Sequence, residues 1–193
     1  MIDLLQPGEH ELIGDIIAEG FADDPVNLWS FRNPAVLRPL YTLMARDLYL
    51  TKGFGHVVDG GQAGSLWLAP GTKKHFGLLS TLTMAAHIAG KGGLTAVRNA
   101  LRVDIEMSRK HPLEPHYYLF AIATRVDARG KGLGGQLMRA TLERVDAERQ
   151  AAYLENSKPE NIGFYRHFGF EVVEELRAAP DAPPLFLMWR DAR

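Results

Sequence analysis

The chain has 193 residues, 46% hydrophobic and 23% charged, which suits one folded domain over 1–193 and excludes two large domains or a disordered polymer. Lys and Arg number 22 against 23 Asp and Glu, so the net charge of −1 makes no global field for nucleic acid. The absence of cysteine excludes disulfides, thiolate metal sites and a cysteine nucleophile.

In chain order, Ile2 to Leu5 is a short strand-like run, with no basic or apolar signal region around it. No later apolar run reaches the length of about 18 residues that spans a bilayer, so the expectation is a cytoplasmic protein away from membranes. Leu12, Ile13, Ile16, Ile17 and Phe21 predict an amphipathic helix that stops at Asp23-Asp24-Pro25. A loop follows, and then Leu37, Leu40, Tyr41, Met44 and Leu48 predict a second helix. Gly53 to Val58 and Ser65 to Leu68, divided by Asp59-Gly60-Gly61, predict a hairpin. Leu78 to about Ser108 predicts two helices broken at Gly90 to Gly93.

Tyr117 to Ala123 is apolar on both alternating faces, the pattern of a central strand covered on each side. A loop from Thr124 to Arg129 leads to Gly130-Lys131-Gly132-Leu133-Gly134-Gly135, and Leu137, Met138, Thr141, Leu142 and Val145 then mark a helix. Beyond it come a strand (Ala152 to Glu155), a short helix (Asn161 to Phe168) stopped by Gly169, and strands at Glu171 to Leu176 and Leu185 to Trp189. Ser157-Lys158-Pro159-Glu160 reads as a capping box at the start of that short helix.

A strand that ends in a glycine-rich turn opening a helix collects unpaired N–H groups and the positive end of the helix dipole at one point. Arg129 and Lys131 add cationic donors, so the segment reads as a cradle for a phosphate or pyrophosphate rather than an ordinary strand-to-helix loop. Gly130, Gly132 and Gly135 also satisfy GxGxxG, with Glu155 where a ribose-binding acid would stand, which keeps a nicotinamide-dinucleotide oxidoreductase as an alternative. Against it, a polar loop precedes the glycines and too little chain remains after them for a doubly wound sheet. No GxxxxGK is followed by Ser or Thr, so a P-loop is excluded.

Arg129-Gly130-Lys131-Gly132-Leu133-Gly134, then Tyr153-Leu154-Glu155-Asn156 and Asn161 through Phe164-Tyr165 to Gly169-Phe170, resemble the GNAT family of N-acetyltransferases, most closely the branch that includes puromycin N-acetyltransferase. The resemblance implies an α/β fold with a mixed, mostly antiparallel sheet splayed at the central strand and helices on both faces. It implies acetyl-CoA as acyl donor, no metal, and a small-molecule primary amine as acceptor in preference to a protein. Ile122, Ala123 and Thr124 would offer backbone groups to the thioester arm, Arg129, Gly130, Lys131, Gly132, Leu133, Gly134 and Gly135 would hold the pyrophosphate, and Asn161 would contact the arm. Tyr165 would stand beside the sulfur. A non-catalytic acyl-CoA-binding module is the alternative from another class, and a monomer and a homodimer are both compatible with the sequence.

Acyl transfer to an amine needs a neutral nucleophile, a donor to the oxyanion and a proton for the departing thiolate. Tyr165 is the candidate acid, since a phenol with pKa of about 10 is protonated at neutral pH. Glu155 is the candidate base, or else pairs with Arg129 or Arg166; Asp23, Asp24 and Glu114 are further anionic candidates, though Asp23-Asp24-Pro25 reads first as a helix-ending turn. His111 and His116 read as surface residues of a proline-containing loop, and Tyr117 and Tyr118 as strand packing, one of them lining an acceptor pocket. Asp23 to Leu113 should build that pocket, though no strong charge or aromatic signature marks it.

Overall fold

The computed structural model describes residues 1–193. Strand β1 (Ile2–Leu4) precedes helices α1 (His10–Gly20), α2 (Pro25–Phe31) and α3 (Leu37–Met44), and a π-helical turn (Ala45–Tyr49) runs on into α4 (Leu50–Lys52). The hairpin β2 (Phe54–Val58) and β3 (Ala63–Leu68) follows, then the long helix α5 (Leu78–Lys110) and strand β4 (His116–Thr124). Helix α6 (Leu133–Ala147), strand β5 (Ala151–Asn156), helix α7 (Ile162–His167) and strands β6 (Glu171–Leu176) and β7 (Leu185–Arg190) complete the chain. The predicted break in α5 is present at Gly93, whose φ of 73° is outside helical space.

Two local expectations are corrected. Residues 25–31 form a helix rather than a loop: Asp24 caps it by accepting a 2.9 Å bond from the Asn27 N–H, and Pro25 supplies the pre-set φ of the first turn. Aspartate before proline is as much a start signal as a stop signal, and both apply here because α1 has just ended. The Ser157 capping box does not form; the Ser157 hydroxyl instead donates to the carboxylate of Asp24, which burial deprives of water.

The seven strands form one sheet in the order β1-β2-β3-β4-β5-β7-β6, antiparallel throughout except for β4 and β5. A single parallel pair is incompatible with the doubly wound parallel sheet that a dinucleotide oxidoreductase of the glycine-fingerprint kind requires. On one face α1, α2, α3 and α5 cover a core that includes Ile13, Ile17, Leu40, Tyr49, Leu66 and Tyr118. On the other, α6 and α7 pack with Trp67, Tyr117, Leu119 and Leu154. The two-faced apolar pattern of β4 thus serves two separate cores. No helix is long and apolar enough to cross a membrane.

Helix α1 lies close against α3 because Gly14 has no side chain. A Cβ built there would come within 2.9 Å of the backbone N and Cα of Thr42, which cannot yield without parting the two helices. Gly14→Val is therefore expected to destabilise the fold by about 1–3 kcal/mol, read as a lowered urea midpoint at unchanged slope.

Candidate active site

Strand β4 carries an irregularity at its middle. Leu119 faces Trp67 and Ala121 faces Leu66 across β3, so Phe120 is an extra residue on β4. The bulge puts Phe120 and Ala121 on the same face and bends the strand. On its other edge β4 pairs with β5 only from His116↔Ala151 to Leu119↔Leu154. Beyond that point Glu155 and Asn156 pair with β7, and the β4 edge from Phe120 onward has no strand partner on that side. The sheet is therefore splayed at its central strand, as expected.

The opening is a cleft of about 80 Å³ lined by Leu119 to Ile122 on β4, Leu154 to Lys158 on and after β5, Gly20, Phe21 and Asp24 from the α1–α2 corner, and Asn161 and Tyr165. Of the predicted site residues it brings together Ile122, Glu155, Asn161 and Tyr165. Ala123 and Thr124 continue the β4 edge outside the cleft, and Ala123 is packed against Gly20 at the end of α1. The loop Arg129 to Gly135 follows separately.

That loop has the geometry its glycines predict. Gly130 and Gly132 adopt φ of +79° and +76°, a region that side chains other than glycine enter at a cost, and a Cβ at either would point into open space. Gly132 caps α6 without any side-chain bond, leaving the N–H groups of its first turn without an acceptor. A Cβ built at Gly134 would lie 3.5 Å from the Phe164 ring, so the helix start is packed close to α7, and Leu133 contributes only backbone to the loop because its side chain is buried with Leu137 and Val58. Lys131 is exposed. Arg129 is turned toward the α1 corner, where it donates to the Gly20 carbonyl at 3.3 Å and lies 3.9 Å from Asp23. The free β4 edge, the open loop and the two cations fit a long ligand with a peptide-like arm and a pyrophosphate, as in a coenzyme A ester.

Tyr165 is buried in the cleft, and its hydroxyl has no hydrogen-bond partner within the chain. Burial, with the nearby negative charge of Asp24, raises its pKa above that of an ordinary phenol, so it holds its proton through the neutral range. Glu155 pairs with neither Arg129 nor Arg166; the latter bonds Glu171. Its side chain is 3% exposed, Oε1 makes no hydrogen bond, and the His111 Nδ1 lies 3.7 Å from it. The hydroxyls of Tyr49, Tyr118 and Tyr153 are buried around this carboxylate; burial first, then its charge, raises their pKa values, and Tyr118 and Tyr153 stand near enough to be held in their protonated form by it.

The histidines are not simply surface residues. His116 is buried between Tyr153 and Trp189, and its Nδ1 lies 2.7 Å from the Glu114 carbonyl, while His111 meets the edges of Tyr118 and Tyr153. Burial lowers the pKa of His116. Tyr117 and Tyr118 divide as strand alternation dictates. Tyr117 faces α6 and donates to Glu148 at 2.5 Å, and Tyr118 faces a second cavity.

This second cavity has a volume of about 420 Å³ and lies under α2, α3 and α5. It shares Phe21, Asp24, Phe120, Glu155 and Ser157 with the cleft, so the two spaces meet at the two carboxylates. Phe31, Tyr41 and Phe76 converge here from three separate segments, an aromatic lining that no local stretch of the sequence displays.

Asp24 helps build the junction, and Asp23 beside it bonds the Lys158 ammonium at 2.6 Å. Burial raises the Asp24 pKa against the opposing effect of its bonds to Ser157 and Asn27. A carboxylate with a raised folded-state value binds its proton more tightly in the native chain than in the unfolded one. Its contribution is therefore favourable at low pH and is lost as pH rises from about 4 through the raised value. Asp24→Asn keeps an acceptor for Asn27 and a partner for Ser157 without the buried charge. Its urea stability should fall less between pH 4 and pH 7 than that of the wild type.

Residues 84–172 match the family model described as an acetyltransferase (GNAT) domain. Over 74 residues the chain is 35% identical to L-methionine sulfoximine/L-methionine sulfone acetyltransferases of Pseudomonas paraeruginosa and Pseudomonas aeruginosa, a match covering 37% of this chain and 41% of theirs. The chain thus spans less than half the length of these curated relatives. A crystal structure described as histone acetyltransferase HPA2 and related acetyltransferase, from Corynebacterium glutamicum, superimposes with a TM-score of 0.75 at 25% identity, covering 100% of this chain and 96% of that one. Polyamine N acetyltransferase of Drosophila melanogaster shares the fold at a TM-score of 0.59 and 16% identity, with 99% and 100% of the two chains covered.

Proposed function

We propose that this chain, whose residues 84–172 match a GNAT acetyltransferase model, is an acetyltransferase of that kind and moves the acetyl group of acetyl-CoA directly to the primary amine of a small molecule. The observation that carries this reading is the pair of unsatisfied polar groups at one opening. The Tyr165 hydroxyl, which bonds no group of the chain, and the Glu155 carboxylate, whose Oε1 accepts no hydrogen bond, both line the cleft between β4 and β5. Polar atoms that line a cleft and are left free by the chain are available to a molecule that binds there.

In this reading the free edge of β4 at Ile122, Ala123 and Thr124 bonds the pantetheine arm as an absent strand would. The loop Arg129 to Gly135 and the first turn of α6 hold the pyrophosphate, with the Lys131 ammonium and the Arg129 guanidinium beside it. Acetyl-CoA supplies an activated acyl carbon. Glu155 accepts a proton from the incoming ammonium, leaving a neutral amine able to attack. A backbone N–H on the bulged stretch of β4 stabilises the developing oxyanion, and Tyr165 gives its proton to the departing thiolate. No covalent enzyme intermediate is needed, because the junction of the two cavities lets donor and acceptor meet directly.

Methionine sulfoximine, polyamine and histone acetyltransferases among the similar proteins support an amine acceptor in general. The test is a thiol-release assay of the purified chain with acetyl-CoA and a panel of primary amines, with acetyl-CoA binding measured in parallel. Release that depends on amine concentration is the expected result. Binding without release from any amine would favour a non-catalytic acyl-CoA module, and absence of binding would overturn the proposal.

A further inference from the structure

The second cavity differs sharply in chemistry from its junction with the cleft. Of its 28 lining residues 18 are hydrophobic, and beyond the junction the walls are built by side chains such as Phe31, Leu40, Met44, Met84, Ile88 and Val97. Its volume of about 420 Å³ is in the range of sites for whole small molecules rather than for a lone ammonium group. Two of its carboxylates, Asp24 and Glu155, stand at the junction; the third, Asp104, is on an exposed turn of α5 at the mouth. The one lysine of the lining, Lys74, has its ammonium over the Tyr118 ring, 5.5 Å from its centroid, so the lining already carries a cation there.

We propose that the acceptor is a monoamine with an extended apolar or aromatic body, bound with its ammonium at Glu155 and its body in the α2–α3–α5 cavity. The inference rests on the acetyl-transfer reading and deepens it by naming the acceptor class. Asp24 and Glu155 stand together at the junction and Asp104 is exposed at the mouth, so the apolar stretch of wall between them offers a cation no counter-charge. A polyamine or an aminoglycoside would have to place its remaining charges against Met84, Ile88 and Val97, where desolvation finds no counter-charge. An apolar body in the same place replaces cavity water and gains affinity with each buried methylene, about fourfold per group.

The experiment is calorimetric titration of amines into the full chain saturated with CoA, which reads acceptor binding without turnover, followed by kcat/KM for the same amines with acetyl-CoA. From butylamine to octylamine, Kd should fall about fourfold per methylene, with a negative heat-capacity change. The affinity of 4-phenylbutylamine should exceed that of spermidine by about 100-fold or more, several times the gain from one methylene. Met84→Trp, which fills the cavity, should weaken 4-phenylbutylamine by about tenfold or more while leaving acetyl-CoA affinity unchanged, which also verifies that the variant is folded. A flat alkylamine series, or spermidine binding as well as 4-phenylbutylamine, overturns the acceptor class even where acetyl transfer is observed. An intact series without transfer from any amine overturns the acetyl-transfer reading and leaves the occupant of the cavity standing.

Discussion

Tyr165→Phe is expected to lower kcat by about 100- to 10,000-fold, the usual contribution of a positioned general acid, with little change in KM for acetyl-CoA. The side chain packs with Phe164 and Phe170, and a phenylalanine of the same shape preserves those contacts. Its hydroxyl bonds nothing in the protein, so the thermal midpoint should stay within about a degree or rise slightly, because a buried polar atom has been removed without orphaning a partner. The raised pKa has a direct consequence for the pH profile. Burial keeps the phenol protonated well above pH 10, so the alkaline limb of kcat below that point does not come from Tyr165. Unchanged kcat in steady-state assays at saturating acetyl-CoA would remove Tyr165 as the acid.

The second large effect belongs to donor binding. Replacing both Gly130 and Gly132 with valine is expected to raise the Kd for acetyl-CoA by about 100-fold or more, since each position would hold a β-branched residue at positive φ at about 1–3 kcal/mol. Open space around both Cβ positions means the effect comes from backbone conformation rather than collision within the protein. Refolding of the loop to relieve this strain would disperse the N–H groups at the start of α6. The protein should remain folded, because the loop is exposed and the core of α6, through Leu137, Met138 and Leu142, is untouched. Isothermal titration of acetyl-CoA into wild type and variant decides the matter, and equal affinities would exclude this loop as the pyrophosphate site.

Much of this architecture was legible from local pattern. The two-faced strand at Tyr117 to Ala123, the glycine turn opening α6, the break in α5 at Gly93 and the C-terminal strands all follow from periodicity, turn chemistry and backbone freedom, properties that act over a few neighbouring residues. The family resemblance rests on the same kind of contiguous segment. Asp24-Pro25 was half legible: the pair was read as ending α1, and the same two residues begin α2.

Other features had no local signal. Glu155 lies in a strand whose sequence says nothing of its neighbours, and only tertiary packing surrounds its carboxylate with His111, Tyr49, Tyr118 and Tyr153 and keeps it from an arginine or lysine. Ser157 was drawn from a helix cap to Asp24, 133 positions away, because a buried carboxylate takes the donor that tertiary contact brings to it. The second cavity is the extreme case. Its aromatic and aliphatic walls are the facing sides of α2, α3, α5 and β4, elements far apart in the chain, so each segment alone reads as an ordinary amphipathic element. The sequence by itself determined the strand-loop-helix that would hold the donor, since a phosphate cradle is made by consecutive backbone groups. Only the tertiary structure decided the second cavity, because its shape is the gap left where distant helices meet the bulged central strand.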